Sequence, residues 1–188
     1  FEGVEKPWEA MMAKNGFKIL DSDMHVLEPA DLWQRYIDPE FRDRAPRGLL
    51  RSPLEVGVEL KGKNLGLEGK GWESLRQVYN SEESVYAEDI ARGFDPQTQL
   101  NAMDREGVDL AVLFPSRGLF ANSFEGIDPR FSDAIARAYN NWMTDFCNQG
   151  DPSRMFGAAL LPFQDVALSV KEAHRAVTEL GHKTVFLR

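Results

Sequence analysis

The residues best suited to chemistry lie together near the amino end, in Asp21-Ser22-Asp23-Met24-His25-Val26-Leu27-Glu28-Pro29. They follow Lys18-Ile19-Leu20, so the segment is expected to be a short buried strand that turns polar at its carboxyl end. Side chains alternate along a strand, which puts Asp21, Asp23 and His25 on one side and Ser22, Met24 and Val26 on the other. Three ionisable groups converging in an apolar interior would be costly if left unpaired. A divalent cation removes that cost, because carboxylate and imidazole are both good ligands for Zn²⁺ or Mn²⁺. Asp21, Asp23 and His25 are therefore candidates to hold such a cation. An isolated Asp-x-His also arises by chance, and Glu28 or Asp31 could simply cap a following helix. The tripeptide alone leaves both readings open.

Other reactive side chains are sparser. His174 sits between Ala173 and Arg175, off the apolar stripe of its helix, and is expected in solvent. His182 follows Gly181 in the turn before the last strand, at the end away from the expected site. Cys147, the only cysteine, follows Phe146 near a helix end with no Cys or His partner close in sequence, so packing is favoured over nucleophilic chemistry. Arg117 and Arg188 each come after a strand, where a guanidinium can hold a carboxylate by paired hydrogen bonds. Both are expected to bind substrate, with a salt bridge at the rim as the structural alternative. The sequence nominates no general acid or base.

These groups need a scaffold. Pro7 and Gly16 bracket a short outer helix bearing Trp8, Met11 and Met12 on one face, and Asp31–Tyr36 forms another, closed by Asp38-Pro39. Between residues 50 and 94 the pattern loosens into an insertion. There Leu54, Val56, Val58 and Leu60 alternate with Glu55, Gly57 and Glu59, the mark of a half-exposed strand, and Lys61-Gly62-Lys63-Asn64 has turn chemistry. This predicts a small hairpin covering one end of the sheet.

Beyond residue 95 the order is regular. Asp95-Pro96 opens a helix that Gly107 ends, and Val108–Phe114 is a strand. Asp128-Pro129 opens a second helix with Phe131, Ile135, Ala138, Tyr139, Trp142 and Phe146 on one stripe. Met155–Leu161 is the third strand. Asp165 caps a third helix with a stripe of Val166, Val170, Ala173, Val177 and Leu180, and Lys183–Leu187 is the fourth strand. Strands alternating with helices mean βαβ units and a parallel sheet. A (β/α)₈ barrel needs about 250 residues, so four strands predict an α/β half-barrel; a complete four-stranded open sheet is the competing architecture. The expected organisation is one partial barrel domain over residues 1–188, with 16–49 as first strand and helix, 50–94 as insertion and 95–188 as the second to fourth units. The start without Met and the apolar end Thr184-Val185-Phe186-Leu187-Arg188 suggest a piece of a longer parent.

Composition narrows the partners. The 188 residues are 43% hydrophobic, enough for one sizeable core, and 22 basic against 30 acidic residues give a net charge of −8. That balance, with no basic cluster, argues against nucleic acid or an anionic membrane. No apolar run approaches the roughly 20 residues of a membrane span, and the amino end lacks a signal-peptide pattern. One cysteine excludes an internal disulfide and fits a reducing cytoplasm. A half-barrel also leaves two sheet edges unpaired, which predicts a homo-oligomer or pairing with a missing C-terminal half.

The segment Ile19–Pro29 resembles the first-strand metal motif of the amidohydrolase superfamily, in the branch that includes aminocarboxymuconate semialdehyde decarboxylase and resorcylate-type decarboxylases. The usual form there is His-x-His; this chain has the Asp-x-His form. Later segments are similar in order: Leu100–Asp109 before the second strand, Ala138-Tyr139-Asn140-Asn141-Trp142 on a helix, Leu160–Asp165 at the third-strand exit, and Glu179–Arg188 over the fourth strand. The resemblance implies the N-terminal half of a TIM barrel with one metal at its carboxyl mouth, and Asp23 and His25 as the first two ligands. Zinc is the first expectation, with manganese, magnesium or iron as alternatives. The implied activity is a metal-dependent hydrolase acting on a small acidic or cyclic substrate, or a non-oxidative decarboxylase; a non-catalytic half-barrel acting only in assembly is the reading from another class. The later ligands of that family fall beyond Arg188, so these 188 residues alone are expected to be inactive.

Overall fold

The structure is a computed structural model that describes residues 16–67, 73–74 and 86–187. The expected helix at Pro7 and the expected anion-binding Arg188 lie outside the described residues, as does part of the insertion.

Four parallel strands, β1 (Leu20–His25), β5 (Leu110–Phe114), β6 (Met155–Leu160) and β7 (Thr184–Phe186), pair in the order β1-β5-β6-β7. That order is sequential, with no reversal. In a doubly wound sheet the order turns back on itself and helices cover both faces. Consecutive parallel strands laid side by side in one direction, joined by right-handed crossovers, put their helices on a single face. The other face is therefore the concave, open side of a barrel arc. Burial agrees: along β5, Ala111 and Leu113 are fully buried under the helices, whereas Leu110, Val112 and Phe114 are half-buried on the opposite face.

The helices start where capping chemistry places them. Helix α3 (Pro96–Glu106) has the Asp95 carboxylate accepting from Thr98 N at 2.9 Å and ends at Gly107 with φ 69°. Helix α5 (Pro129–Gln149) is capped by Asp128 on Phe131 N, and α6 (Val166–Thr178) by Asp165 on Leu168 N. All six expected core positions of α5 are buried, and this helix forms the spine of the core against β6. Helix α1 (Leu32–Tyr36) lies on α5, with Trp33 donating to the Ile135 carbonyl at 3.3 Å. Among the described residues, no helix is long and apolar enough to cross a membrane.

Three expectations need correction. The α6 stripe does not face the core: Val166, Val170 and Val177 are 79%, 64% and 50% exposed. The helix buries Glu172 and Ala176 instead. Its orientation is fixed by the Glu172 carboxylate, which accepts from Asn140 on α5 at 2.7 Å and from Arg175 at 2.8 Å. A buried carboxylate so bonded outweighs the burial of a few valines. Second, β1 is not buried on both faces, and Leu20 is 55% exposed on the open side. Third, Glu55, expected on a solvent face, is completely buried, because its carboxylate accepts from Gly57 N and from Arg51 Nε at 2.7 and 2.6 Å.

The insertion does contain the expected hairpin. Strands β3 (Val58–Leu60) and β4 (Lys63–Leu65) pair antiparallel around Lys61 and Gly62, both with positive φ, the geometry of a two-residue hairpin turn. A third strand, β2 (Arg47–Gly48), extends this sheet. A short helix that sequence periodicity did not suggest, α2 (Ala87–Ala91), precedes α3. The hairpin rests on another such helix, α4 (Arg117–Ala121), which leaves the carboxyl end of β5.

Candidate metal centre

Register decides which way each β1 side chain points. Residues aligned across a parallel ladder share a face. Leu20 aligns with Leu110, Asp21 with Ala111, Met24 with Leu113 and His25 with Phe114. Three steps along β1 between Asp21 and Met24 thus match two steps along β5, so β1 carries a one-residue bulge at Ser22–Asp23. Asp21 supports it by accepting from the Asp23 N–H at 2.9 Å, a local side-chain turn.

The bulge changes the expected convergence. Asp21 and Met24 align with fully buried residues of the helix-facing side, whereas His25 aligns with Phe114 on the open side. Strict alternation had put Asp21 with the other two ionisable groups; the extra residue shifts the phase and removes it. Asp23 and His25 stay together. His25 Nε2 lies 3.8 Å from Asp23 Oδ1, with the two side chains 44% and 81% exposed. That separation is too long for a hydrogen bond, so neither atom satisfies the other.

The other ring nitrogen is committed. His25 Nδ1 lies 2.8 Å from the Pro115 carbonyl oxygen, which can only accept. Nδ1 is therefore the donor, and Nε2 is the ring nitrogen that faces Asp23. An imidazole with one nitrogen bonded to a backbone carbonyl and the other free beside a carboxylate fits a divalent cation. Among the described residues no third His, Cys, Asp or Glu completes the set.

Aromatic rings flank the pair. The Phe114 ring is 6.2 Å from His25, Phe186 meets Phe114 edge-on at 5.9 Å, and Phe163 meets Phe186 at 6.5 Å. The open face thus offers a wall of ring edges and faces beside the polar pair.

Arg117, expected to grip a substrate carboxylate, is turned inward and 3% exposed. Its guanidinium donates to the Glu28 carbonyl and, at 3.2 Å, to the Leu49 carbonyl. It ties the β1 exit, the insertion and α4 together, because satisfying buried carbonyls outweighs leaving the guanidinium in water. Glu28 is wholly buried and caps not the helix after β1 but the segment after β5: its carboxylate accepts from Arg117 N at 2.8 Å and Gly118 N at 2.9 Å. Burial pushes its carboxyl up, while the Gly118 and Arg117 amides and the Arg117 charge pull it back. Asp31, the other candidate cap, makes no capping bond and instead faces Arg35 at 3.8 Å.

The remaining histidines are placed as the sequence suggested. His174 is exposed on α6. His182 is buried before β7, where Nδ1 donates to the Gly157 carbonyl at 2.8 Å and Nε2 meets Thr144 Oγ1 at 3.0 Å. A cavity of about 90 Å³ beside His182 and Cys147 lies toward the amino ends of the strands, and one of about 190 Å³ lies among Tyr36, Phe94 and Trp142. Neither touches Asp23 or His25.

No protein-family model and no curated protein matches the sequence. Solved structures do share its fold. An amidohydrolase from Mycobacterium avium subsp. paratuberculosis K-10 superposes with a TM-score of 0.67 at 20% identity, over 92% of this chain and 50% of that one. A 5-carboxyvanillate decarboxylase from Novosphingobium aromaticivorans DSM 12444, holding manganese and 3-methoxy-4-hydroxy-5-nitrobenzoic acid, superposes with a TM-score of 0.54 at 21% identity, over 92% of this chain and 42% of that one. The chain spans half or less of the length of these structures. What they share with this chain is the fold: a run of parallel strands with the helices on one face.

Proposed function

We propose that this half-barrel supplies the first two ligands, Asp23 and His25, of the divalent-metal centre of an amidohydrolase-superfamily enzyme. One observation carries the reading: a carboxylate oxygen and an imidazole nitrogen, whose ring partner is bonded to a backbone carbonyl, stand 3.8 Å apart on the open face, at the carboxyl end of the first strand. Barrel enzymes place their reacting groups at that end. A divalent cation there would lower the pKa of water or polarise substrate oxygens. The manganese in the carboxyvanillate decarboxylase makes manganese as good a candidate as zinc.

The chain's own residues would act around that ion. The Pro115 carbonyl holds His25 through Nδ1 and leaves Nε2 directed to Asp23, which lies on the same side while the bulge turns Asp21 away. Phe114, Phe163 and Phe186 would shield a substrate from water and offer stacking surface. Hydrolysis of a small acidic or cyclic substrate is the first reading. Non-oxidative decarboxylation of an aromatic acid is the second, favoured by this wall of rings and by the ligand in the decarboxylase structure. The further ligands and the acid or base would come from outside the described residues; association with a second copy or with a complementary half would cover the edges of β1 and β7.

Calorimetric titration of the chain with Zn²⁺ and Mn²⁺ tests the proposal. With two ligands the expected affinity is weaker than about 1 µM, or roughly 8 kcal/mol, and Asp23→Ala or His25→Ala should abolish it. Binding that survives both substitutions together would place any metal elsewhere and refute the assignment.

A further inference from the structure

The Glu28 carboxylate and the His25 imidazole hold opposite ends of a single peptide unit. The Pro115 carbonyl accepts from His25 Nδ1 at 2.8 Å. The amide N–H of Ser116 belongs to the same planar group, and it points to Glu28, 3.2 and 3.3 Å from its two oxygens. In a trans peptide the C=O and N–H point in opposite directions and cannot turn independently, and no cis bond occurs among the described residues. Fixing the Ser116 N–H therefore aims the Pro115 carbonyl. Glu28 also takes the next two amides, Arg117 N at 2.8 Å and Gly118 N at 2.9 Å, so the whole start of α4 is hung on one carboxylate.

The clamp is closed from both sides. The Arg117 side chain returns to the backbone carbonyl of Glu28. Gly118 permits the approach, since a Cβ there would stand 2.8 Å from Pro115 Cβ and 3.3 Å from Glu28 Oε1. A buried acceptor holding three consecutive N–H groups is a rigid support, because each amide would otherwise be left without a partner.

We propose that Glu28 is a positioning residue for the metal centre: by orienting the Pro115–Ser116 peptide it locks His25 in the Nδ1–H form and keeps Nε2 free toward Asp23. The inference rests on the metal reading only for its purpose; the tautomer lock stands on the hydrogen bonds. Without its hold the peptide can rotate, and His25 can exchange its proton between the two nitrogens.

The test uses the chain with ¹⁵N-labelled histidine and Glu28→Gln, which keeps the volume but sets an NH₂ against the amides of α4. Long-range ¹H–¹⁵N correlation at pH 8 distinguishes the two tautomers, with His25→Ala identifying the signal. The expected result is a single Nδ1–H form in the wild type and a mixed population in E28Q, with the His182 signal unchanged as a control. Co²⁺ or Mn²⁺ affinity, read by optical or EPR titration, should fall roughly tenfold or more in E28Q, as for loss of other partners that orient a metal-binding histidine. A folded E28Q variant with His25 still wholly Nδ1–H would overturn the proposal. So would a wild-type His25 in the Nε2–H form, a measurement that needs no variant should E28Q fail to fold. A tautomer shift in a chain that binds no metal supports the lock and removes the metal reading; metal bound equally by both chains with no tautomer change does the reverse.

Discussion

Replacing Asn140 by Asp would turn a silent structural amide into a pH-dependent weakness. Asn140 is completely buried between β6 and α6. Its oxygen accepts from Leu160 N at 2.7 Å, and its NH₂ donates to the Leu160 carbonyl at 2.9 Å and to Glu172 Oε1 at 2.7 Å. Asn140→Asp keeps the shape and the accepting oxygen but sets a second acceptor against two others. Losing those two bonds, one of them to a charged group, costs about 2–4 kcal/mol. If the introduced carboxyl ionises, it faces the Glu172 carboxylate; two unit charges about 3 Å apart repel by about 5 kcal/mol at an effective dielectric of 20. Arg175, which already holds Glu172 with two bonds of 2.8 Å, offsets part of this. Folding therefore raises the pKa of the introduced carboxyl above its unfolded value near 3.9, the figure for an unperturbed Asp.

A raised carboxyl pKa means that the protonated form is the one compatible with the fold. Its proton restores a donor toward Glu172, so the variant is least impaired below about pH 4. Stability relative to the wild type then declines by about 1.4 kcal/mol per pH unit until the folded pKa is passed. Between pH 5 and pH 7 the deficit should grow by about 2–3 kcal/mol. Urea denaturation at pH 5, 6 and 7, followed by the fluorescence of buried Trp33 and Trp142, measures it. A deficit that stays constant within about 0.5 kcal/mol across that range would refute the assigned geometry, since it would mean that the introduced carboxyl does not meet Glu172.

Gly157→Ala should destabilise by about 1–3 kcal/mol through overpacking, because a Cβ there overlaps Met143 Cγ and stands 3.2 Å from His182 Cε1; thermal melts of G157A, M143A and the double variant should show the pair less impaired than the sum, and strict additivity would contradict the contact. Cys147 is buried and its thiol is pushed up to about 11 by desolvation, so at pH 8 its alkylation by iodoacetamide should run roughly a hundredfold slower than in urea-unfolded chain, where a free thiol ionises near 8.5; native and unfolded rates within threefold of each other would show that the thiol is accessible.

Local chemistry fixed the ends of elements well. Asp95, Asp128 and Asp165 cap their helices as their sequence context demands, and Gly107 closes α3 in the left-handed conformation. The α5 stripe is buried as its spacing requires, since a helix with one continuous apolar face has a single way to bury it. The Asp23–His25 pairing was legible for a similar reason: two residues separated by one lie on one face, and the register is regular again by Met24, ahead of His25.

What sequence could not supply was anything that depends on partners distant in the chain. The bulge exists only against β5, and it removes Asp21 from the cluster that strict alternation predicts. Helix α6 turns its valines outward because Glu172 finds Asn140, 32 positions away. Arg117 looked like a surface anion grip until the Glu28 and Leu49 carbonyls, 89 and 68 positions distant, claimed its guanidinium. Periodicity and capping act between neighbours and are written in consecutive residues. The direction of a buried polar side chain depends on which donors and acceptors the completed fold brings within about 3 Å, and that is settled only when the strands and helices are packed.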